Sequence, residues 1–135
     1  MKSVHSIGRA AMIVFTGLLT LAILSACGKP ASAYVFSASQ SEVPLNTTSI
    51  IDVRLVHQPS GKPVENAVIF ETRFDMGPDS MDDMTAPVTT QDTAAPGVYR
   101  FAVAPTMAGR WELKLSVKVQ GEAETVVGSV VVTAR

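Results

Sequence analysis

From residue 34 onward, apolar and polar side chains alternate in short runs, and the runs are separated by turn residues. In "SIIDVRLVH", Ile51, Val53 and Leu55 face one way, opposite Asp52, Arg54 and Val56. In "AVIFETRF", the same period sets Val68, Phe70, Thr72 and Phe74 on one face and Ile69, Glu71 and Arg73 on the other. "VYRFAV" gives Tyr99, Phe101 and Val103, and "RWELKLSVKV" is the cleanest case, with Trp111, Leu113, Leu115, Val117 and Val119 opposite Glu112, Lys114, Ser116 and Lys118. "TVVGSVVVTA" closes the chain. A period of two places successive side chains on opposite faces of a sheet, so these runs predict half-buried strands. No window after residue 33 carries a helical period, and eight prolines and nine glycines punctuate the chain. The pattern predicts an all-β, antiparallel, immunoglobulin-like sandwich of about seven strands. Its expected core includes Phe70, Tyr99, Phe101, Trp111, Leu113, Leu115 and Val117.

Two turns sharpen this expectation. "PSGKPVENA" joins two strands and offers Gly61 for a positive φ. In "APGVY", Tyr99 fits either of two roles. It can send its hydroxyl to backbone a few residues upstream, as at the corner of a Greek-key sandwich, or it can be a plain core aromatic.

The first residues follow another pattern. Lys2 and Arg9 precede an uncharged apolar run from Ala10 to Leu24 that is short for a bilayer span, as in a secretory signal. The ending "LSAC" resembles the lipobox of bacterial lipoproteins. That resemblance implies that Cys27 is diacylated and begins the mature chain; an uncleaved anchor with an incidental cysteine is the alternative. Gly28 and Lys29, rather than Asp, follow Cys27, which by the same resemblance favours the outer membrane. The expected organisation is a signal over residues 1–26, a lipidated cysteine and linker over 27–33, and one domain over 34–135. The domain is expected to face the periplasm, tethered to a membrane.

Removing the signal leaves nine basic residues against twelve acidic ones, a net charge of −3. With no basic stripe, nothing here attracts nucleic acid. Cys27 is the only cysteine, so the chain lacks the materials for a disulfide, a thiol nucleophile or a cysteine metal site. His57 is the only histidine of the mature chain and falls at a strand end beside a turn. No nucleophile motif surrounds any serine, and no Gly-rich phosphate loop is visible, which argues against an enzyme.

The stretch "DMGPDSMDDM", residues 75–84, concentrates three of the six methionines and four of the twelve acids. Calcium fits poorly, because an EF-hand loop needs acids at alternate positions and a closing glutamate. Two readings remain open for Met76, Met81 and Met84. Methionine is an adaptable gap-filler, and these side chains can cap the open end of the sandwich. Thioethers are also soft neutral ligands that select Cu(I) or Ag(I). In the second reading Met107, in "TMAGRW", is the candidate fourth donor. Asp75, Asp79, Asp82 and Asp83 would offset the ion's charge, and Trp111 would shield the site.

The segments "SGKPVENAVIFETRFDMGPDSMDDM", "PGVYRFAV" and "MAGRWELKLSVKVQGEAETVVGSV" resemble the YtkA-like domain, related to FixH-type domains, over about residues 35 to 133. Met76, Pro78, Asp79, Met81, Met84, Met107, Gly109, Arg110 and Trp111 fall on its pattern. Ser80 departs from it, standing where family loops often have glycine. The resemblance implies an immunoglobulin-like sandwich outside the cytoplasm, in the company of heavy-metal efflux or copper-handling membrane systems. Two functions follow as expectations. One is a lipid-anchored module that binds Cu(I) or Ag(I) and serves a metal-efflux or oxidase-assembly partner in the membrane. The other is a metal-free adaptor whose methionine loop docks a membrane protein.

Overall fold

The computed structural model describes residues 33–93 and 95–135; the expected signal, Cys27 and residues 28–32 of the linker lie outside them. The strands are β1 (Tyr34–Ala38), β2 (Glu42–Val43), β3 (Ser49–His57), β4 (Lys62–Pro63), β5 (Val68–Met76), β6 (Met81–Ala86), β7 (Val88–Gln91), β8 (Val98–Val103), β9 (Gly109–Lys118) and β10 (Val126–Ala134). They form two sheets, one in the order β1-β3-β8-β7 with β4 also on β3, the other in the order β2-β10-β9-β5-β6. The result is an immunoglobulin-like β-sandwich. The chain switches sheets between β1 and β2, and β2 joins β10 in parallel, a local departure from the all-antiparallel expectation.

Alternation placed most of the core correctly. Ile51, Val53 and Leu55 of β3 and Phe101 and Val103 of β8 are sealed against Trp111, Leu113, Leu115 and Val117 of β9. Each such side chain contributes about 1.5–3 kcal/mol on leaving water. The Phe74 and Trp111 rings stack at a centroid separation of 4.9 Å. On the β1 side, the Phe36 ring lies directly over Gly128 of β10, where any side chain would collide with it.

Phe70 is a correction: it is 57% exposed. The β5–β9 register runs Ile69↔Val117 and then Glu71↔Ser116, so Phe70 is an extra residue at a bulge. One extra residue inverts the phase of everything before it. Thr72 and Phe74 keep the inward face, Ile69 takes it over, and Val68 and Phe70 turn to solvent.

Tyr99 is only partly buried, and it bridges rather than fills. Its hydroxyl donates to the Val64 carbonyl (2.7 Å) and accepts from the Ala67 amide (2.9 Å). These partners lie 35 and 32 residues upstream, not a few. The tyrosine therefore fastens the start of β8 to the β4–β5 connection.

Candidate functional site

At the end of β5 the alternation stops: Phe74, Asp75 and Met76 are all buried in succession. Phe74 and Met76 point inward. Asp75 pairs with Glu112 of β9 on the outer face, yet is fully buried because two cations fold over it. Arg73 Nε donates to Oδ2 at 2.7 Å, Lys114 Nζ reaches both oxygens at 2.8 and 3.1 Å, and the Gly77 amide donates to Oδ1 at 2.9 Å. Burial alone would push this carboxyl up, but Lys114, Arg73 and the Gly77 amide together outweigh it and hold Asp75 below the usual carboxylate range. Neither Arg73 nor Lys114 was singled out from sequence. Their signal was their place at outward positions of neighbouring strands, flanking a carboxylate on the same face.

Beyond β5, Gly77–Asp79 form a single 3-10 turn. It closes at Ser80, whose φ of 61° is left-handed and whose amide donates to the Gly77 carbonyl at 2.9 Å. Asp79 then ties this turn to the start of β9. The Arg110 amide donates to Oδ2 at 2.7 Å, Arg110 Nε donates to Oδ1 at 2.8 Å, and a terminal guanidinium nitrogen reaches the Pro78 carbonyl at 2.6 Å. The Arg110 amide first, and its guanidinium second, hold the Asp79 carboxyl below its ordinary range. The residue between loop and strand, Gly109, has a φ of +139°. A Cβ there would stand 2.6 Å from both the Met76 methyl carbon and an Asp79 oxygen. Only a bare backbone lets the two loops approach this closely.

The structure brings the four methionines to one end of the sandwich, with unequal exposure. Met76 is fully buried, and its methyl group packs against Gly109. Met81 stands directly opposite Met76 across the β5–β6 pair. Residues directly opposite share a face, so Met81 is on the inner side. Ala86 pairs with Phe74, and alternation back from it places Met84 on that side too. Met81 and Met84 are 37% and 36% exposed. Met107 is 40% exposed in the connection before β9, and its carbonyl accepts the Trp111 indole N–H at 2.9 Å.

The acids expected around an ion divide into two classes. Asp75 and Asp79 are engaged by Arg73, Lys114 and Arg110. Asp82 and Asp83 lie exposed on β6, where the Asp82 carbonyl accepts from Arg73. Among the described residues, no three His, Cys, Asp or Glu side chains gather as a metal site. Trp111, the expected shield, is sealed in the core beneath Met107. His57 lies elsewhere; its Nδ1 is 2.8 Å from the Ser60 hydroxyl, and its ring tilts against Tyr34.

A model of the family described as YtkA-like matches residues 29–116, well over half of the sequence. The chain belongs to the YtkA-like family. The match spans the methionine loop and the Met107–Trp111 segment and ends inside β9. Against solved structures, this YtkA-like chain is similar to the Lin-41 filamin domain, at 17% identity over 78% of this chain and 94% of that one, with a TM-score of 0.47. It is also similar to the ZirS C-terminal domain, at 12% identity over 100% and 87%, with a TM-score of 0.49. No curated protein matches it. Within the YtkA-like pattern, Ser80, the departure noted from sequence, occupies the left-handed position that suits glycine.

Proposed function

We propose that this YtkA-like domain is an exported, lipid-anchored module that binds a soft monovalent cation, Cu(I) or Ag(I), through methionine thioethers. It serves a heavy-metal efflux or copper-handling system of the same envelope, and it binds rather than catalyses. The observation that carries this reading is the exposure of Met81, Met84 and Met107 together at the one end of the sandwich whose two structured carboxylates are already neutralised. Exposed methionine costs a domain hydrophobic burial, and three at one end ask for a use. Asp75 and Asp79 are engaged in ion pairs, which leaves Asp82 and Asp83 as the exposed carboxylates beside the thioethers, able to offset the charge of a bound cation. The thioethers themselves favour soft ions. Met76, the partner of Met81 across the β5–β6 pair, is buried.

The chain carries its own reporter. Trp111 is the only tryptophan and is hydrogen-bonded to the Met107 carbonyl. Titrating the full chain with Ag(I) should change Trp111 fluorescence saturably, whereas Zn(II), which prefers thiolate, imidazole and carboxylate, should not. A flat response to Ag(I), together with no heat of binding, rejects the metal reading and leaves the exposed methionines as a docking surface for a membrane protein.

A further inference from the structure

Coordination and oxidation compete for the same atom at a thioether. Both use the electron-rich sulfur as nucleophile: a soft cation such as Ag(I) accepts one of its lone pairs, and a peroxide transfers oxygen onto one. Exposure separates the methionines of this domain into two groups: Met81, Met84 and Met107 reach solvent, while Met76 is sealed with its methyl carbon against Gly109. Access governs sulfur oxidation as it governs metal entry. A sulfoxide oxygen at Met76 would also sit without a hydrogen-bond partner in an apolar core, which opposes the reaction there. Asp82 and Asp83 lie on the same strand as Met81 and Met84 and repel anionic oxidants but not a neutral one.

We propose that Met81, Met84 and Met107 are sulfoxidation sites for a neutral peroxide, and that sulfoxidation and soft-cation binding exclude each other. In the step, one oxygen of H2O2 forms a bond to sulfur as the O–O bond breaks. Sulfur loses two electrons, and the remaining oxygen leaves as water after a proton shift, so thioether plus H2O2 gives sulfoxide plus H2O. Sulfoxidation withdraws electron density from sulfur and adds a hard oxygen, so the sulfur becomes a much poorer ligand for the soft ion. Conversely, a bound ion draws density from the sulfur and screens it, which slows attack on peroxide. Reduction by a methionine sulfoxide reductase would restore the site. The exclusion half rests on the soft-cation reading above; the oxidation pattern does not.

The test treats the full chain, in detergent, with H2O2 in the presence and absence of Ag(I), followed by cleavage after arginine and mass spectrometry. Cleavage releases Phe74–Arg100, carrying Met76, Met81 and Met84, and Phe101–Arg110, carrying Met107. Fragmentation separates the sites. The expected result is oxidation of Met81, Met84 and Met107 at least about tenfold faster than Met76, with Ag(I) slowing the three exposed sites. Oxidation of Met76 at the same rate overturns the exposure argument. Calorimetry on the untreated chain separates the remaining failures. If Ag(I) binds without protecting the three sulfurs, the exclusion is wrong while the cation reading stands. If Ag(I) does not bind at all, the cation reading and the exclusion both fall.

Discussion

Met76 and Met81 stand directly opposite each other across β5 and β6, yet Met76 is fully buried and Met81 is more than a third exposed. The ladder explains the contrast. After Asp75↔Thr85 the register jumps to Met76↔Met81, so residues 82–84 form an irregularity in the edge strand, on which Met81 has a neighbouring strand on one side only. Met76 stays inside because it continues β5 beneath the β8–β9 connection and meets Gly109. One methionine thus seals the end of the core, and those around it remain available.

The Asp75 cluster predicts an acid dependence of stability. The folded-state pKa values of Asp75 and Asp79 lie below the unfolded value of about 3.9. The stabilisation they supply is therefore present above about pH 4 and is lost as the pH falls through the depressed folded values. Asp75→Asn should cost about 1–3 kcal/mol at pH 7. That is less than for a fully buried ion pair, because Arg73 and Lys114 are half exposed and can return to water. Urea unfolding at pH 7 and pH 3 checks this: the gap between wild type and variant should narrow at pH 3.

Gly109 and Ser80 predict effects of opposite sign. Gly109→Ala places a Cβ against the Met76 methyl group and Asp79 and should destabilise the domain by roughly 1–3 kcal/mol, the usual cost of overpacking. Ser80→Gly relieves a left-handed φ and should stabilise it by about 0.5–1 kcal/mol, after the extra freedom glycine gives the unfolded chain. Thermal unfolding of both variants measures the two signs.

Trp111 and Phe70 test the assignment of core and surface. Trp111→Ala removes the ring stacked on Phe74 and should cost about 3–5 kcal/mol. Phe70→Ser acts at an exposed bulge and should change stability by less than about 0.5 kcal/mol. A large loss at Phe70 would mean that the bulge faces the core.

Most of the fold was legible because alternation and burial are two views of one periodicity. In β3 and β9 that period runs unbroken, and every inward residue expected there is buried. In β5 it misled, because a bulge leaves no mark in the run Ile69-Phe70-Glu71. The hydroxyl partners of Tyr99 were illegible for another reason: they come from a distant connection that only the assembled sandwich places beside β8. At the methionine end, sequence showed the unusual residues but not their division. The burial of Met76 depends on Gly109, and the engagement of Asp75 and Asp79 depends on Lys114 and Arg110. These contacts span more than thirty positions and follow from the β5–β9 pairing.

The "LSAC" ending predicts the location of the protein. Cys27→Ser should abolish lipidation and move the domain from the membrane to the soluble periplasmic fraction. Fractionation followed by immunodetection checks this outcome. Unchanged membrane association in the variant would indicate an uncleaved N-terminal anchor.

The most direct test of the central claim is a competition titration of the full chain against a chromophoric Cu(I) chelator under reducing conditions. The wild type is compared with Met81→Ala/Met84→Ala/Met107→Ala and with Met76→Ala. The account predicts that wild type withdraws Cu(I) from the chelator and that the triple variant does so at least about tenfold less well. It also predicts little change in affinity from mildly acidic to neutral pH, because thioethers do not take up protons as imidazole does. Met76→Ala should lose stability, by about 2–5 kcal/mol, more than it loses affinity. Equal Cu(I) binding by wild type and the triple variant, or none by wild type, would contradict the account.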